Sequence, residues 1–175
     1  MPPVARLLPA ALVAVAALAQ TPPPAPPTPP PCSSPEHRQF DFWLGDWEVT
    51  ANGKVAGTNR ITKLYGACGL REEYTTPGGY AGTSFNVFDT QRRVWHQTWV
   101  DNQGGALLLD GGLRDGRMVL EAERPPLDGK TTRERITWTP NADGTVRQHW
   151  EQSTDGGKSW TTAFDGLYRK TAAKR

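Results

Sequence analysis

The sequence predicts an all-β protein, a ten-stranded antiparallel up-and-down β-barrel that follows a short N-terminal helix. After residue 45, short runs rich in Trp, Thr, Val and Tyr alternate with Gly, Asp and Asn, and Asp-Gly or Asn-Gly pairs recur. Such pairs favour tight hairpins because they tolerate positive φ. The breaks are roughly 9–15 residues apart, which leaves no room for crossover helices, so neighbouring strands must run antiparallel.

Nine predicted turns divide this region into ten strands of about eight residues each. The turns are expected near residues 52, 67, 78, 91, 103, 113, 128, 142 and 156. Sequential antiparallel strands of this length close most naturally into a barrel, because closure leaves no exposed sheet edge. A β-sandwich is the alternative that the same pattern allows.

The N-terminal 35 residues have a different composition from the rest of the chain. They hold twelve of the 16 prolines, whereas all 18 glycines and all seven tryptophans follow. Residues 1–19 predict a secretory signal peptide, with Arg6, an apolar run and the small-x-small sequence Ala17-Leu18-Ala19. An uncleaved membrane anchor is the alternative. Residues 20–31, nearly all Pro, Ala and Thr, predict an extended linker.

Residues 32–170 are therefore expected to form one barrel domain, with 171–175 as a tail. Pro35–Leu44 is the helix candidate, and its aromatic side chains could plug one end of the barrel. Cys32 and Cys68 form an even pair in an exported chain, which predicts one disulfide. The location would be periplasmic or secreted, with no stable membrane span once the signal peptide is cleaved.

Charge and motifs exclude several classes of function. The net charge is +2, without the clustered Lys and Arg that nucleic-acid binding needs. Nucleophile-elbow, zinc-protease and phosphate-loop motifs are missing from the sequence. His96 and His149 fall on faces opposite the Trp-bearing ones, so no metal site and no catalytic residue is predicted. Ser153–Trp160 fits the Asp-box pattern S-x-D-x-G-x-[ST]-W once, which we interpret as a structured turn.

Period-2 alternation assigns the faces of the strands. Trp95, Gln97 and Trp99 share one face of a predicted strand, and Gln148 shares a face with Trp150. Rings mixed with amides or carboxylates are typical of a ligand cavity, because a barrel filled for stability alone would favour aliphatic residues. A satisfied internal hydrogen-bond network around the indoles is the alternative. The predicted ligand-binding side chains come from five strands: Asn59, Glu72, Tyr74, Asn86, Trp95, Gln97, Trp99, Gln148 and Trp150.

Gly45-Asp46-Trp47, which opens the first strand after a short helix, is similar to the G-x-W signature of lipocalin-like (calycin) barrels. The chain resembles a family of exported bacterial proteins of unknown function that have a lipocalin-like domain. The segments that carry this resemblance are residues 40–47, 82–86, 95–99, 155–160 and 164–168. The resemblance implies that Trp47 closes the barrel floor. Nitrobindin-type relatives bind haem through a histidine near the C-terminus. The last strand here has none, so no cofactor is expected.

The expected function is that of an exported β-barrel module that binds a small, partly polar ligand in its interior. One alternative is a hydrolase-type enzyme that uses a cavity carboxylate, Glu72 or Asp101, as acid or base. Another is an envelope structural or interaction protein presented by the Pro-rich linker.

Overall fold

The computed structural model describes residues 28–125 and 131–171, which form a closed antiparallel barrel of ten strands. The fold prediction is thereby confirmed. The predicted signal peptide, linker residues 20–27, the turn near residue 128 and tail residues 172–175 lie outside the described residues. The strands in chain order are β1 Gly45–Ala51, β2 Lys54–Leu64, β3 Gly69–Thr75, β4 Ala81–Asp89, β5 Val94–Asp101, β6 Ala106–Arg114, β7 Arg117–Arg124, β8 Thr132–Pro140, β9 Val146–Ser153 and β10 Thr161–Lys170.

Each strand pairs with its neighbours in sequence, and β1 also pairs with β10 to close the ring. At the closure, Val49 lies opposite Tyr168 of β10 and Gly57 of β2. The register of β1 against β2 shifts after Val49, as at a β-bulge. All strands are thus paired on both sides, which excludes the sandwich and removes exposed edges.

The connections alternate between two ends of the barrel, which we call the floor end and the mouth end. The N-terminal segment enters at the floor end, so β1 begins there and the β1–β2 hairpin lies at the mouth end. That hairpin turns at Asn52 (φ 50°) and Gly53 (φ 72°), the left-handed geometry expected of an Asn-Gly pair. The turn predicted near residue 113 is present, and of the two Asp-Gly pairs beside it Asp110-Gly111 does not form the turn. It lies inside β6, and the chain reverses at Asp115-Gly116.

Two 3-10 helices, Pro35–Arg38 and Asp41–Trp43, take the place of the one predicted helix. Phe40 leaves helical geometry (φ −105°, ψ 7°), which splits the segment and turns its aromatic side chains into the barrel. Among residues 28–125 and 131–171, no helix has the length and apolar character required to cross a lipid bilayer.

The aromatic side chains of this segment fill the floor end. Phe40 stacks on Trp43 with ring centroids 4.9 Å apart, and it meets the edges of Trp138 at 5.2 Å and Trp95 at 5.7 Å. The indole Nε1 of Trp47 donates to the Trp43 carbonyl at 2.8 Å. Trp47 is buried at the floor end.

The predicted disulfide Cys32–Cys68 is present and ties the N-terminal segment to the β2–β3 connection. Arg38 strengthens the same junction, since its guanidinium donates to the carbonyl oxygens of Cys32 and Ala67. A disulfide fits an oxidising compartment outside the cytoplasm.

Candidate functional site

A partly open cavity of about 130 Å³ lies inside the barrel toward the mouth end. An engineered cavity of about 150 Å³ admits benzene, so the space suits a molecule with one ring or a similar compact body. Most of the wall is aromatic, with two aliphatic and three polar side chains: Glu72, Tyr74, Tyr80, Gln97, Trp99, Leu107, Ile136, Gln148, Trp150, Phe164 and Tyr168.

Six of the nine side chains predicted to bind a ligand line this cavity, namely Glu72, Tyr74, Gln97, Trp99, Gln148 and Trp150. Three do not. Asn59 and Asn86 are buried beside the wall, where they hydrogen-bond to lining residues. Trp95 belongs to the floor, packs against Phe40 and donates its Nε1 to Gln39 at 3.1 Å. The sequence-based prediction placed all three inward, but the alternation along a strand carries no information on depth along the barrel axis.

A chain of hydrogen bonds runs across four neighbouring strands, β2 to β5, and includes two of the side chains that line the cavity. Glu72 accepts from Asn59 Nδ2 at 2.6 Å and from Ser84 Oγ at 2.6 Å. Asn86 Nδ2 donates to Ser84 Oγ at 2.9 Å, and Gln97 Nε2 donates to Asn86 Oδ1 at 2.8 Å. An internal network and a cavity, which the sequence left as alternatives, are therefore both present and share Glu72 and Gln97. The network is not fully satisfied, because the buried Asn59 Oδ1 has no hydrogen-bond partner among the described residues.

Glu72 is the cavity group whose protonation changes near neutral pH. It is 5% exposed, and burial raises the pKa of its carboxyl from 4.5 to about 7, although the Ser84 and Asn59 hydrogen bonds lower it. Burial, with a contribution from the Glu72 charge, also raises the pKa of Tyr74 and of Tyr168, so both phenols stay neutral. Among the described residues that line the cavity, none is Lys, Arg or His.

Asp101 holds two aromatic side chains at the cavity rim. Its Oδ2 accepts from Tyr80 Oη at 3.1 Å and from Trp99 Nε1 at 3.4 Å. Backbone N–H groups of Gly105 and Gln103 donate to its Oδ1 at 2.8 and 2.9 Å. These backbone hydrogen bonds lower the pKa of Asp101, so it is a fixed anion and a poor proton donor.

Inward-facing glycines let the aromatic rings lie flat against the wall. A Cβ on Gly82 would stand 2.1 Å from the Trp99 ring, and one on Gly166 would stand 2.4 Å from the Phe164 ring. Both spacings are shorter than any van der Waals contact, so a larger residue would displace the ring. These glycines lie within β4 and β10, where they shape the cavity rather than mark a turn.

Sequence reasoning missed several lining residues for which a signal existed. Phe164 and Tyr168 alternate with Gly166 on β10, so a period-2 analysis of that strand would have found them. Leu107 shares the inward face of β6 with Leu109. Tyr80 lies in the connection between β3 and β4, so the alternation of neither strand predicts where its side chain points.

A second buried carboxylate, Glu134, positions one wall of the cavity from β8. Its Oε2 accepts from Trp150 Nε1 at 2.7 Å, and its Oε1 lies 3.6 Å from Arg124 Nη1. In the part of the chain that the structure describes, Glu134 thus has a cationic partner and Glu72 has none. The alternation along β8 could have placed Glu134 inside the barrel, because Glu134 shares a face with Ile136 and Trp138.

The remaining polar candidates lie away from the cavity. On the outer surface, His96 hydrogen-bonds to Asp110 at 2.8 Å and His149 to Thr162 at 3.0 Å. No group of three or more His, Cys, Asp or Glu in residues 28–125 and 131–171 is arranged to hold a metal ion. The Asp-box segment is a hairpin turn, as predicted, in which Asp155 accepts from several groups of its own loop.

Comparison of the chain with protein-family models and with curated proteins found no match. The closed ten-stranded antiparallel barrel is consistent with a lipocalin-like architecture. The resemblance therefore rests on the fold and on the residues that carry the motif.

Proposed function

We propose that the barrel binds a small, partly polar ligand in the cavity at its mouth end. The observation that carries this proposal is an aromatic-walled space with polar groups at its inner side, provided by Glu72, Gln97 and Gln148. Ligand sites combine apolar walls with a few placed polar groups in this way. The rings would contact the body of the ligand, and the amides and the carboxyl would orient it.

Burial of Glu72 supports a role beyond stability. A buried carboxyl without a cationic partner lowers the free energy of unfolding whenever it is ionised. The floor end shows what this chain uses for stability alone, since Phe40, Trp43 and Trp138 pack there with almost no exposed surface. The mouth end instead has a cavity and a buried carboxyl, and such a departure from close apolar packing is typical of a functional site.

The predicted signal peptide, together with the disulfide between Cys32 and Cys68, supports a periplasmic or secreted location for this binding module. The ligand would then come from outside the cytoplasm.

Native mass spectrometry and ligand-observed NMR on the mature protein purified from its own host would test the proposal. We expect a co-purified or exchangeable small molecule whose binding is lost in Trp99→Leu, because that ring forms part of the cavity wall. Trp160→Leu is the matched control, since Trp160 lies at the outer hairpin, where Arg135 covers its ring at 4.0 Å. Equal binding by both variants would place the ligand outside the cavity and contradict the proposal.

A second candidate function, acid–base catalysis of hydrolysis, is favoured by the pKa of Glu72. A general acid or base works best with a pKa near the working pH, and about 7 meets that condition. Screening for hydrolysis with Glu72→Gln and Asp101→Asn separates this candidate from simple binding. Turnover that both variants retain in full would remove these carboxyls as catalytic residues.

A further inference from the structure

We infer that the ligand is a small organic cation, an amine or quaternary ammonium whose charged nitrogen lies between Glu72 and the aromatic walls of the cavity. This inference rests on the proposed binding function and names its ligand class. It depends on three features of the cavity: its charge, its rings and its hydrogen-bond donors.

The charges at the cavity are negative. Glu72 lines the cavity, and Asp101 lies at the rim, where it accepts hydrogen bonds from Tyr80 and Trp99. Among the described lining residues there is no basic side chain, and the hydrogen bonds to Glu72 come from the neutral groups of Asn59 and Ser84. A cation would supply the counter-charge that this buried carboxylate lacks among residues 28–125 and 131–171.

The aromatic walls offer ring faces to such a cation. Tyr80 lies 6.4 Å from Tyr74 and 6.5 Å from Trp99 between ring centroids, so three electron-rich rings form one continuous side. Trp150 and Phe164 also line the cavity. Trp and Tyr faces attract ammonium groups, and the attraction grows when water is excluded.

Most hydrogen-bond donors around the cavity already have protein acceptors. The indole N–H of Trp99 donates to Asp101, and that of Trp150 donates to Glu134. The Tyr168 hydroxyl donates to Gln148. An anionic ligand would therefore meet Glu72 with few donors to bind it, whereas a cation needs acceptors and ring faces.

Three probes of matched size test the inference: benzylamine, which is cationic at neutral pH, benzyl alcohol, which is neutral, and benzoate, which is anionic. Calorimetry or ligand-observed NMR with the mature, disulfide-bonded chain at pH 7.5 would give the affinities. We expect benzylamine to bind at least about tenfold more tightly than benzyl alcohol, and benzoate to bind most weakly.

Two variants that change the net charge equally make the test specific. Glu72→Gln should remove the preference for benzylamine and leave benzyl alcohol within about twofold of the unaltered chain, because the amide keeps the shape of the side chain. Glu73→Gln should keep the preference, because Glu73 points outward on the same strand and pairs with Arg71 at 2.8 Å. Loss of the preference in both variants would show that it comes from long-range charge and overturn the inference.

The unaltered chain gives a second readout that does not depend on a variant folding. The side chains around Glu72 are Asn59 from β2, Tyr74 from β3, Ser84 from β4 and Tyr168 from β10. Burial raises the pKa of both phenols, so they stay neutral in this test. Asp101 at the rim remains ionised. Benzylamine should therefore bind more weakly at pH 5 than at pH 8, as Glu72 becomes protonated, whereas the affinity for benzyl alcohol should stay constant.

Two outcomes distinguish this inference from the proposed function. If benzyl alcohol binds as tightly as benzylamine, or benzylamine shows no change with pH, the cation inference is wrong and the binding function stands. If none of the three probes binds, the cation inference is overturned, and the binding function is decided separately by native mass spectrometry with the Trp99→Leu and Trp160→Leu variants.

Discussion

The Glu72 carboxyl should make the folded protein less stable as the pH rises from 5 to 8. Its pKa is about 7 in the folded state and 4.5 as an ordinary Glu in the unfolded chain. Below pH 4.5 both states are protonated, and the stabilisation is fully present. Between the two values the unfolded chain loses the proton first, so the free energy of unfolding falls, and above pH 7 it levels off.

The magnitude follows from the same two pKa values. Their separation corresponds to about 3 kcal/mol, of which about 2.5 kcal/mol falls between pH 5 and pH 8. The carboxyls of Asp101 and Asp110 have lowered pKa values and stay ionised throughout this range, so they do not oppose the trend. The phenol of Tyr80, with a pKa raised to about 12, titrates far above it.

Urea unfolding followed by tryptophan fluorescence at pH 5, 6, 7 and 8, with the disulfide kept oxidised, measures this slope. Glu72→Gln should flatten it, since the amide does not titrate, and Glu73→Gln should leave it unchanged. Stability that rises with pH across this range, or a slope that survives in Glu72→Gln, would refute the assignment of the buried carboxyl.

Three further predictions concern the barrel. Replacing Cys32 and Cys68 with Ser should lower the free energy of unfolding by about 3–4 kcal/mol, because the disulfide closes a loop of 36 residues. Reducing the disulfide of the unaltered chain should lower its free energy of unfolding by the same amount, and the same treatment should leave the double Ser variant unaffected. Gly111→Ala should destabilise by about 1–3 kcal/mol, because its Cβ would stand 2.1 Å from a backbone oxygen of β7, whereas Gly112→Ala, with open space, should stay within about 0.5 kcal/mol in the same urea titration. Phe40→Ala should lower the free energy of unfolding by about 3–5 kcal/mol, because the Phe40 ring fills the floor end. Thermal unfolding measures this change, and a loss well below about 3 kcal/mol would contradict the prediction.

Much of the fold was predictable because turn chemistry is local. Asn52-Gly53 and Asp115-Gly116 reverse the chain where positive φ is needed, and each is encoded by two adjacent residues. Asp110-Gly111 shows the limit of that signal. The same pair of residue types lies within β6, because Gly111 there admits a close approach of β7 that only the tertiary structure reveals.

The candidate site was predictable in part, since alternation identifies the inward face of a strand. It correctly placed Gln97 and Trp99 inside, together with Glu72. It could not separate Trp95 from Trp99, which occupy the same face of β5 on either side of Gln97. The first meets the N-terminal plug through Phe40, and the second borders the cavity, so the depth of each depends on a segment that is remote in sequence.

The different packing of the floor end and the mouth end explains how the protein tolerates Glu72, a buried carboxylate with no cationic partner among the described residues. At the floor end the rings pack against one another, and the disulfide holds the plug in place, so that half supplies the stability. At the mouth end the rings of Trp99 and Trp150 are fixed through their N–H groups by Asp101 and Glu134, which leaves their faces toward the cavity. A site built this way keeps its shape without a ligand, so binding would require little reordering. The destabilisation due to ionised Glu72 would then be relieved by the ligand's own charge, and a bound cation should raise the free energy of unfolding most at pH 8.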